Sequence, residues 1–357
     1  MRNPKEPIRL GIIGCGRVAE ERHLPALLHL REFRVVSTAD LDEARSRRFA
    51  GQVGAEQAVT DYRAVLERPD VEAIAILTPT LSHAEIGLAA LDAGKHVLIE
   101  KPLALNLEDC ERLIARAGTS PCKVVVGFNL RWHRLVRRAC EFLATGRLGR
   151  IKAIRSVYTH NRTGETAPDW HRKLDLGGGV AFNEGVHHFD LWRYLTGSQV
   201  EQVYSVSAPS AQYEDETNVV TARLSGNILG TGVFTFKTGP TSDVEVYGEN
   251  GRLCLSLYRF DGLEHFPSES YPGNLRDRLV KTIQSLGDLP GAIRGLRTGG
   301  EFQTTFNGLW THFADCILHD RPSQCSLQDG RESLKVALAV VESVRSGAPV
   351  RLGRIVA

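Results

Sequence analysis

Short apolar runs alternate with amphipathic segments along the first third of the chain. The apolar runs are rich in β-branched residues and are bounded by turn signals; they read IRLGIIG, FRVVSTAD, VEAIAILTP, KHVLIEKP and KVVVGF. Apolar positions at helical spacing lie between them, as in AEIGLAALDAG and LEDCERLIARAG. Continuous apolar strands that alternate with helices are typical of a parallel sheet covered on both faces. The pattern predicts an α/β domain over residues 1–128.

The pattern changes after about Phe128. Strand-like segments now follow one another with turn signals and little helix between them, reading IKAIRSVYTH, VEQVYSVSAPS, TNVVTARLSG, ILGTGVFTFK, SDVEVYGENG and RLCLSLYRF. Helical spacing returns in FQTTFNGLWTHFADCILHD and RESLKVALAVVESVRSG. We therefore predict a second, α+β domain over residues 129–357 with a large, open, mostly antiparallel sheet. No element is predicted between Glu264 and Gly300, where Pro, Gly and Arg are frequent and periodicity is weak.

Composition supports two domains and excludes several functional classes. The 357 residues exceed the roughly 250–300 at which a single core stops growing. A net charge of +2 gives no reason to expect nucleic acid or an anionic membrane as a partner. The seven cysteines are scattered without C-x-x-C, so neither a disulfide framework nor a metal site is indicated. Without a long apolar segment, we expect a cytoplasmic protein.

The first strand leads into a glycine pattern typical of dinucleotide binding. Gly14-x-Gly16-x-x-Ala19 follows the strand directly and opens a helix, with Arg17 and Val18 inside the loop. Gly14 suits a tight turn, Gly16 suits close approach of a pyrophosphate, and Ala19 suits packing of the helix on the strand. The pattern alone also fits a plain turn. The acidic Asp40 at the end of the second strand is placed to bind the adenosine ribose, which favours a Rossmann nucleotide site.

Asp40 also favours NAD over NADP as the cofactor. A carboxylate at this position repels a 2′-phosphate, and the following Leu41 offers no cation for one. Arg45, Arg47 and Arg48 lie on the next predicted helix and could weaken the preference. The alternative for these arginines is a solvated helix face.

A lysine ends the strand that reads HVLIEKP. Ligands of open α/β sheets bind outside the carboxyl ends of the strands, so Lys101 is placed near the nicotinamide. Pro102 restricts Lys101 to extended conformations and so limits its direction, although a surface lysine at a loop start is the alternative. The other predicted cofactor contacts near these strand ends are Thr78, Pro79, Thr80, His83, Glu100 and Asn129. His83 can equally be a helix-start residue without such a role.

Two adjacent histidines occur in the segment GGGVAFNEGVHHFDLWRYL. If a helix begins near Ala181, one stripe contains Phe182, Val186 and Phe189. A second stripe contains Asn183, His187, Asp190 and Tyr194, whereas His188 turns away together with Glu184. Spacing thus selects His187 as the candidate acid/base and assigns His188 to structure or substrate contact. A lone histidine in a helix is more often structural, so that alternative stays open for His187 on spacing alone.

These motifs together resemble one family. G-x-G-x-x-A, TPT-x-x-H, E-K-P-L and GGG-x-x-x-N-x-G-x-H-x-x-D-L follow in the order found in the glucose-fructose oxidoreductase / inositol dehydrogenase (Gfo/Idh/MocA) family. The resemblance covers nearly the whole chain. It implies a Rossmann domain, then an α+β domain whose open sheet often supports homodimers or homotetramers. It also implies NAD(P)-dependent oxidation or reduction at a carbinol carbon of a sugar or cyclitol.

The resemblance assigns the reactive group to Lys101, Asn183 and His187. The family has an aspartate where this chain has Asn183, so the amide can hold a hydroxyl but brings no charge. Glu184 and Asp190 are nearby carboxylates that could substitute, and Asp190 could instead orient His187. Besides the reactive group, the predicted substrate contacts are Arg131, Trp170 and Arg172, each with a packed or solvated loop residue as the alternative.

Two further functions remain open from the sequence. Related chains with this fold retain NAD and oxidise a ring carbon transiently to cleave a glycosidic bond without net redox change. Alternatively, the change to Asn183 marks a non-catalytic NAD-bound sensor or assembly partner. We favour a dehydrogenase because Lys101 and His187 are both present.

Overall fold

The computed structural model of the protein describes residues 6–162, 168–269 and 300–353, with separate positions between 274 and 293. The chain divides into two compact units. The first contains the residues up to Asn129 together with Thr305–Leu334, and the second contains Leu130–Thr304 together with the residues from Lys335 onward. Among the described helices, none is long and apolar enough to cross a bilayer.

The first unit is built on a six-stranded sheet with the strand order β3-β2-β1-β4-β5-β6. All five neighbouring pairs are parallel, which confirms the predicted parallel sheet. The strands are β1 (Ile8–Ile13), β2 (Phe33–Ala39), β3 (Gln57–Val59), β4 (Ala73–Ile76), β5 (His96–Ile99) and β6 (Val124–Val126). Strand β4 is buried along its whole length, as expected for a central strand covered on both faces. Strand β3 was not predicted, because three residues are too few to show a period.

In the described residues up to Asn129, α-helices lie between the strands, and some helix ends are fixed by local side chains. The helices are α1 (Leu24–His29), α2 (Glu43–Val53), α3 (Arg63–Leu66), α4 (His83–Asp92) and α5 (Leu107–Gly118). Asp42 caps α2 by accepting from the backbone N–H groups of Ala44 and Arg45, and Gly54 ends it with φ +67°. Asn106 caps α5 in the same manner.

The second unit contains an eight-stranded sheet with the order β13-β12-β11-β7-β10-β9-β8-β14. Only the β7–β10 pair is parallel among its described pairs, which confirms a mostly antiparallel sheet. The strands are β7 (Ile151–Asn161), β8 (Val200–Ala208), β9 (Thr217–Leu224), β10 (Ile228–Thr235), β11 (Lys237–Gly248), β12 (Gly251–Ser256), β13 (Leu263–Pro267) and β14 (Val350–Arg351). Strands β13 and β14 were not predicted. Most of the stretch 264–300 lies outside the described residues.

The second unit carries helices α6 (Arg134–Ala144), α7 (Asp169–Arg172) and α8 (Val186–Thr196). Helix α8 follows a π-helical turn, Ala181–Gly185, and is buried over most of its length. Trp192 donates from Nε1 to Ser156 Oγ on β7 at 2.8 Å, and Phe189 packs edge-on against Phe234 of β10. Both predicted stripes of the segment are therefore largely inside the unit, because the helix lies against the sheet rather than at the surface.

The C-terminal helices are α9 (Glu301–Leu318) and α10 (Leu327–Ser346), and the segment Thr305–Leu334, with most of α9 and the start of α10, belongs to the first unit. The sequence predicts a single second domain over residues 129–357, which includes this segment. Trp310 packs edge-on against Phe33 of β2, and the N–H of Val126 donates to the carbonyl of Cys325 at 2.9 Å. These contacts join residues far apart in sequence, which local periodicity does not reveal.

Candidate active site

The loop after β1 has the geometry that a dinucleotide requires. Gly14 has φ +93°, and a Cβ there would lie 2.7 Å from the backbone nitrogen of Thr78. A Cβ on Gly16 would meet nothing within 4 Å, so the backbone is open to approach by a pyrophosphate. Ala19 is fully buried where the π-helical turn Ala19–His23 begins. The predicted roles of both glycines and Ala19 fit this local geometry.

Backbone amides hold the Asp40 carboxylate at the end of β2. Its Oδ2 accepts from the N–H of Cys15 at 2.8 Å, and its Oδ1 accepts from the N–H of Asp42 at 2.9 Å. The three nearby arginines each have an acidic partner, in the pairs Arg45–Asp42, Arg47–Glu43 and Arg48–Glu20. A fixed carboxylate and ion-paired arginines make the strand end better suited to a ribose diol than to a 2′-phosphate.

His83 connects the loops that follow β4 and β5. Its Nδ1 lies 2.8 Å from the carbonyl of Pro102 and its Nε2 lies 2.8 Å from the carbonyl of Thr78. The ring is 1% exposed, and burial lowers its pKa although the two carbonyls act in the opposite direction. The structure thus gives His83 two partners within the protein. Pro79 and Thr80 lie on the same loop, and Thr80 is buried.

Glu100 and Asn129 also have partners inside the first unit. The Glu100 carboxylate is buried and accepts from His23 Nε2 at 3.0 Å and from the N–H of Lys101 at 3.1 Å. Burial raises the pKa of Glu100, but its hydrogen bonds with His23 and Lys101 and the nearby charges together lower it by more. Asn129 is 2% exposed and donates to Thr305 Oγ1 at 2.8 Å. Lys101 itself is partly exposed.

The two adjacent histidines of α8 have different surroundings. His187 lies at the start of the helix and is 9% exposed. His188 is 1% exposed, between the rings of Tyr158 and Phe234 at centroid distances of 6.0 and 5.4 Å. Neither ring nitrogen of His188 has a hydrogen-bond partner among the described residues, and burial lowers its pKa to about 3. His188 is therefore a neutral packing residue at physiological pH.

Asn183 ties two turns together through its amide nitrogen. Nδ2 donates to the carbonyl of Gly179 at 2.8 Å and to the carbonyl of His171 at 3.4 Å. Both partners are acceptors, so only the NH₂ group of the side chain can face them. A carboxylate in the same place would point oxygen at oxygen. The local structure therefore favours an amide over a carboxylate at this position, where the chain departs from the family pattern.

The predicted substrate contact Arg131 is held in a buried ion pair. Its Nε and Nη2 donate to the two carboxylate oxygens of Asp190 at 2.7 and 2.5 Å, and its guanidinium lies 4.7 Å from the centroid of the Tyr194 ring. Asp190, which the sequence allowed as a partner of His187, has this bidentate contact. The side chains of Trp170 and Arg172 on α7 are partly exposed, and their contact with substrate stays a prediction.

The sequence did not predict a second polar cluster next to Asn183. Arg162 Nη2 donates to Glu184 Oε1 at 2.7 Å, and its Nη1 lies 3.0 Å from His171 Nε2. The guanidinium also covers the ring of Phe236, 4.5 Å from its centroid. Glu184 is therefore already ion-paired, which argues against its replacing the family carboxylate. No local period marks Arg162, because it follows the last residue of β7.

Comparison with known proteins agrees with this fold. The Rossmann unit and its nucleotide loop define an NAD-binding oxidoreductase: the model of the oxidoreductase family with an NAD-binding Rossmann fold matches residues 8–128. The model of the GFO/IDH/MocA C-terminal domain matches residues 136–254. The chain belongs to the Gfo/Idh/MocA family.

Relatives and solved structures extend the likeness over the chain. It is 26% identical over 361 residues to a myo-inositol 2-dehydrogenase of Thermotoga maritima, covering 98% of this chain and 100% of that protein. It is 33% identical over 266 residues to a dTDP-3,4-didehydro-2,6-dideoxy-alpha-D-glucose 3-reductase of Actinomadura kijaniata, covering 72% and 77%. The WlbA dehydrogenase of Bordetella pertussis, solved with NADH and UDP-GlcNAcA, has the same fold, with a TM-score of 0.80 at 22% identity over 98% and 99% of the chains.

Proposed function

We propose that this protein transfers a hydride between NAD and a secondary alcohol or ketone carbon of a sugar, glycoside or cyclitol. The observation that carries the proposal is the joint presence of three features: the nucleotide loop at Gly14–Ala19, Lys101 at the end of the β5 segment, and His187 at the start of α8. The relatives named above act on an inositol and on a nucleotide-linked sugar, which supports this substrate class.

The first unit supplies the groups that would hold the cofactor. The open backbone at Gly16 suits the pyrophosphate, and Asp40 suits the adenosine ribose. NAD, when bound there, provides the hydride acceptor or donor. Because Asp40 would repel a 2′-phosphate, we expect NADP to be a poorer cofactor.

The proton transfer is assigned to His187 and the stabilisation of charge to Lys101. During oxidation, the imidazole of His187 takes the hydroxyl proton, a task that suits histidine because it titrates near neutral pH. The ammonium group of Lys101 stabilises the negative charge that develops on the same oxygen. General-base assistance of this kind contributes roughly 10² to 10⁴ in rate. Asn183 then acts through its contacts with Gly179 and His171, which hold the turns around the helix start.

A screen of inositols, aldoses and glycosides with NAD and with NADP tests the proposal. We expect the absorbance of reduced nicotinamide to increase with NAD and at least one of these compounds, and the increase to be lost in Lys101→Met. A screen without turnover, or full activity in Lys101→Met, would contradict the proposal. Product formed without accumulation of NADH would instead favour redox-neutral cleavage of a glycoside.

The second unit also carries an apolar row that suits self-association. Val206, Val219 and Val233 are direct neighbours across β8, β9 and β10, and they are 58%, 44% and 36% exposed. This supports the expectation of a homodimer or homotetramer. Light scattering should show that the wild type is an oligomer and that the double variant Val206→Glu/Val219→Glu has the mass of one chain. A monomeric wild type would exclude self-association through this row.

A further inference from the structure

Trp310 fixes the protonation of a buried histidine in the nucleotide-binding unit. Its indole Nε1 lies 3.2 Å from Nδ1 of His23, and both side chains are fully buried. An indole N–H can only donate, so Nδ1 of His23 must accept. The neutral imidazole then carries its single proton on Nε2. Phe306, one turn before Trp310 on α9, packs edge-on against the same imidazole at 5.0 Å and limits its rotation.

The proton on Nε2 of His23 is directed at Glu100. The Nε2–Oε1 distance is 3.0 Å, and the second oxygen of Glu100 accepts from the N–H of Lys101 at 3.1 Å. In this tautomer His23 supplies one hydrogen bond to the carboxylate of Glu100. The charge of Lys101 is one of the causes that lower the pKa of Glu100, so the two charges interact.

The surroundings leave Glu100 little freedom to move. A Cβ on Gly127 would lie 2.8 Å from Oε1 of Glu100, so the glycine backbone closes directly over the carboxylate. On the other side of Lys101, the carbonyl of Pro102 lies 2.8 Å from Nδ1 of His83. The residues immediately before and after Lys101 therefore each lie within about 3 Å of a ring nitrogen of a buried imidazole.

We infer that Trp310, His23 and Glu100 form a positioning chain for Lys101. This chain fixes the backbone of Lys101 and places one buried negative charge, that of Glu100, at the position before Lys101 in the sequence. The inference rests on the proposed role of Lys101. It also gives the return of Thr305–Leu334 to the first unit a function, since this segment delivers the indole. None of the three residues need touch substrate for the chain to act.

The reactivity of Lys101 toward an amine-modifying reagent tests the inference without turnover. Peptide mass spectrometry would follow trinitrobenzenesulfonate labelling of Lys101, with the half-exposed Lys152 as the internal reference. In Glu100→Gln the ammonium form loses a neighbouring negative charge, so we expect Lys101 to be labelled about three- to tenfold faster at a fixed pH near 8. Glu72→Gln is the matched control. Glu72 also accepts a backbone N–H, that of Arg9 at 2.9 Å, but it precedes β4, whereas Glu100 follows β5. An unchanged labelling rate in folded Glu100→Gln would overturn the inference.

The two other members of the chain provide independent variants. His23→Leu removes the hydrogen bond to Glu100 and should accelerate labelling in the same direction, whereas His23→Gln keeps an N–H donor and should restore a rate near that of the wild type. Trp310→Phe removes the indole N–H together with part of the buried ring system and should give a smaller acceleration. Equal rates in His23→Leu and His23→Gln would overturn the inference even if Glu100→Gln did not fold.

Activity then separates this inference from the proposed function. If both are correct, Glu100→Gln lowers kcat while NAD affinity, measured by titration, is unchanged. If the wild type shows no dehydrogenase activity, the proposed function fails, but the labelling rates still decide whether the chain positions Lys101.

Discussion

The substitution Asn183→Asp restores the residue type of the family at the position where this chain departs from it. If charge alone mattered, the substitution would improve catalysis. The contacts of Asn183 predict the opposite, because its Nδ2 donates to the carbonyls of Gly179 and His171. An ionised carboxylate has no proton to offer to either carbonyl.

The size of the effect follows from these contacts. Two hydrogen bonds at about 1 kcal/mol each are lost, and a side chain only 7% exposed gains an unpaired charge near carbonyl oxygens. We therefore expect a loss of about 2–5 kcal/mol in the free energy of unfolding near pH 8. For a unit of this size, such a loss lowers Tm by about 5–15 °C.

The pH dependence of the stability of Asn183→Asp provides a second, independent test. Burial and the carbonyl oxygens should raise the pKa of the introduced carboxyl above its unfolded value of about 3.9. The variant should then be close to the wild type near pH 4 and become progressively less stable as the pH rises through the folded pKa.

Thermal unfolding of Asn183→Asp and the wild type between pH 4 and 8 measures both effects. Asn227→Asp is the matched control, because Asn227 is exposed in a turn with φ 60° and the same change should alter stability by less than about 0.5 kcal/mol. An unaltered Tm at pH 8 together with increased turnover would refute the assignment of Asn183 as a positioning residue.

Three other substitutions test separate parts of the structure. The free energy of unfolding of His188→Phe, relative to that of the wild type, should rise by about 2 kcal/mol between pH 8 and pH 5 in denaturant titrations. The reason is that the folded wild type binds the His188 proton only near pH 3, whereas the unfolded chain binds it near pH 6.5. A difference that stays constant with pH would contradict this. Asp190→Ala leaves Arg131 buried without its bidentate partner and should lower the free energy of unfolding by about 3–5 kcal/mol, and a loss below about 1 kcal/mol would show the ion pair to be unimportant. Asp40→Ser should weaken NAD binding about ten- to a hundredfold and reduce the ratio of NAD affinity to NADP affinity, as measured by nucleotide titration. Unchanged NAD affinity would exclude the contact between Asp40 and the ribose.

The main architecture could be predicted because its causes are local. Continuous apolar runs separated by helical spacing predict a parallel sheet, and shorter strands with turns predict an antiparallel one. The placement of Lys101 also follows from a local rule, since it comes directly after a strand of an open α/β sheet. Gly14 was recognisable for the same reason, because the tight turn it permits depends on its own φ.

Other parts of the site depend on contacts between distant residues. Trp310 and His23 are 287 positions apart, and Arg131 and Asp190 are 59 apart, so no window of sequence shows either pair. The same limit hides the ion pair of Arg131, whose contact with substrate stays a prediction. The adjacent histidines show a middle case: helical spacing distinguishes the two as candidates, but only the aromatic rings around His188 show that it is buried.

Hydride transfer in His187→Ala is the measurement that tests the central claim most directly. With the substrate identified by the screen, single-turnover formation of NADH would be compared between the variant and the wild type, and NAD binding would be titrated in both. We predict a rate lower by roughly 10² to 10⁴ with unchanged NAD affinity. A variant that forms NADH at the wild-type rate would contradict the role of His187 and, with it, the proposed dehydrogenase mechanism.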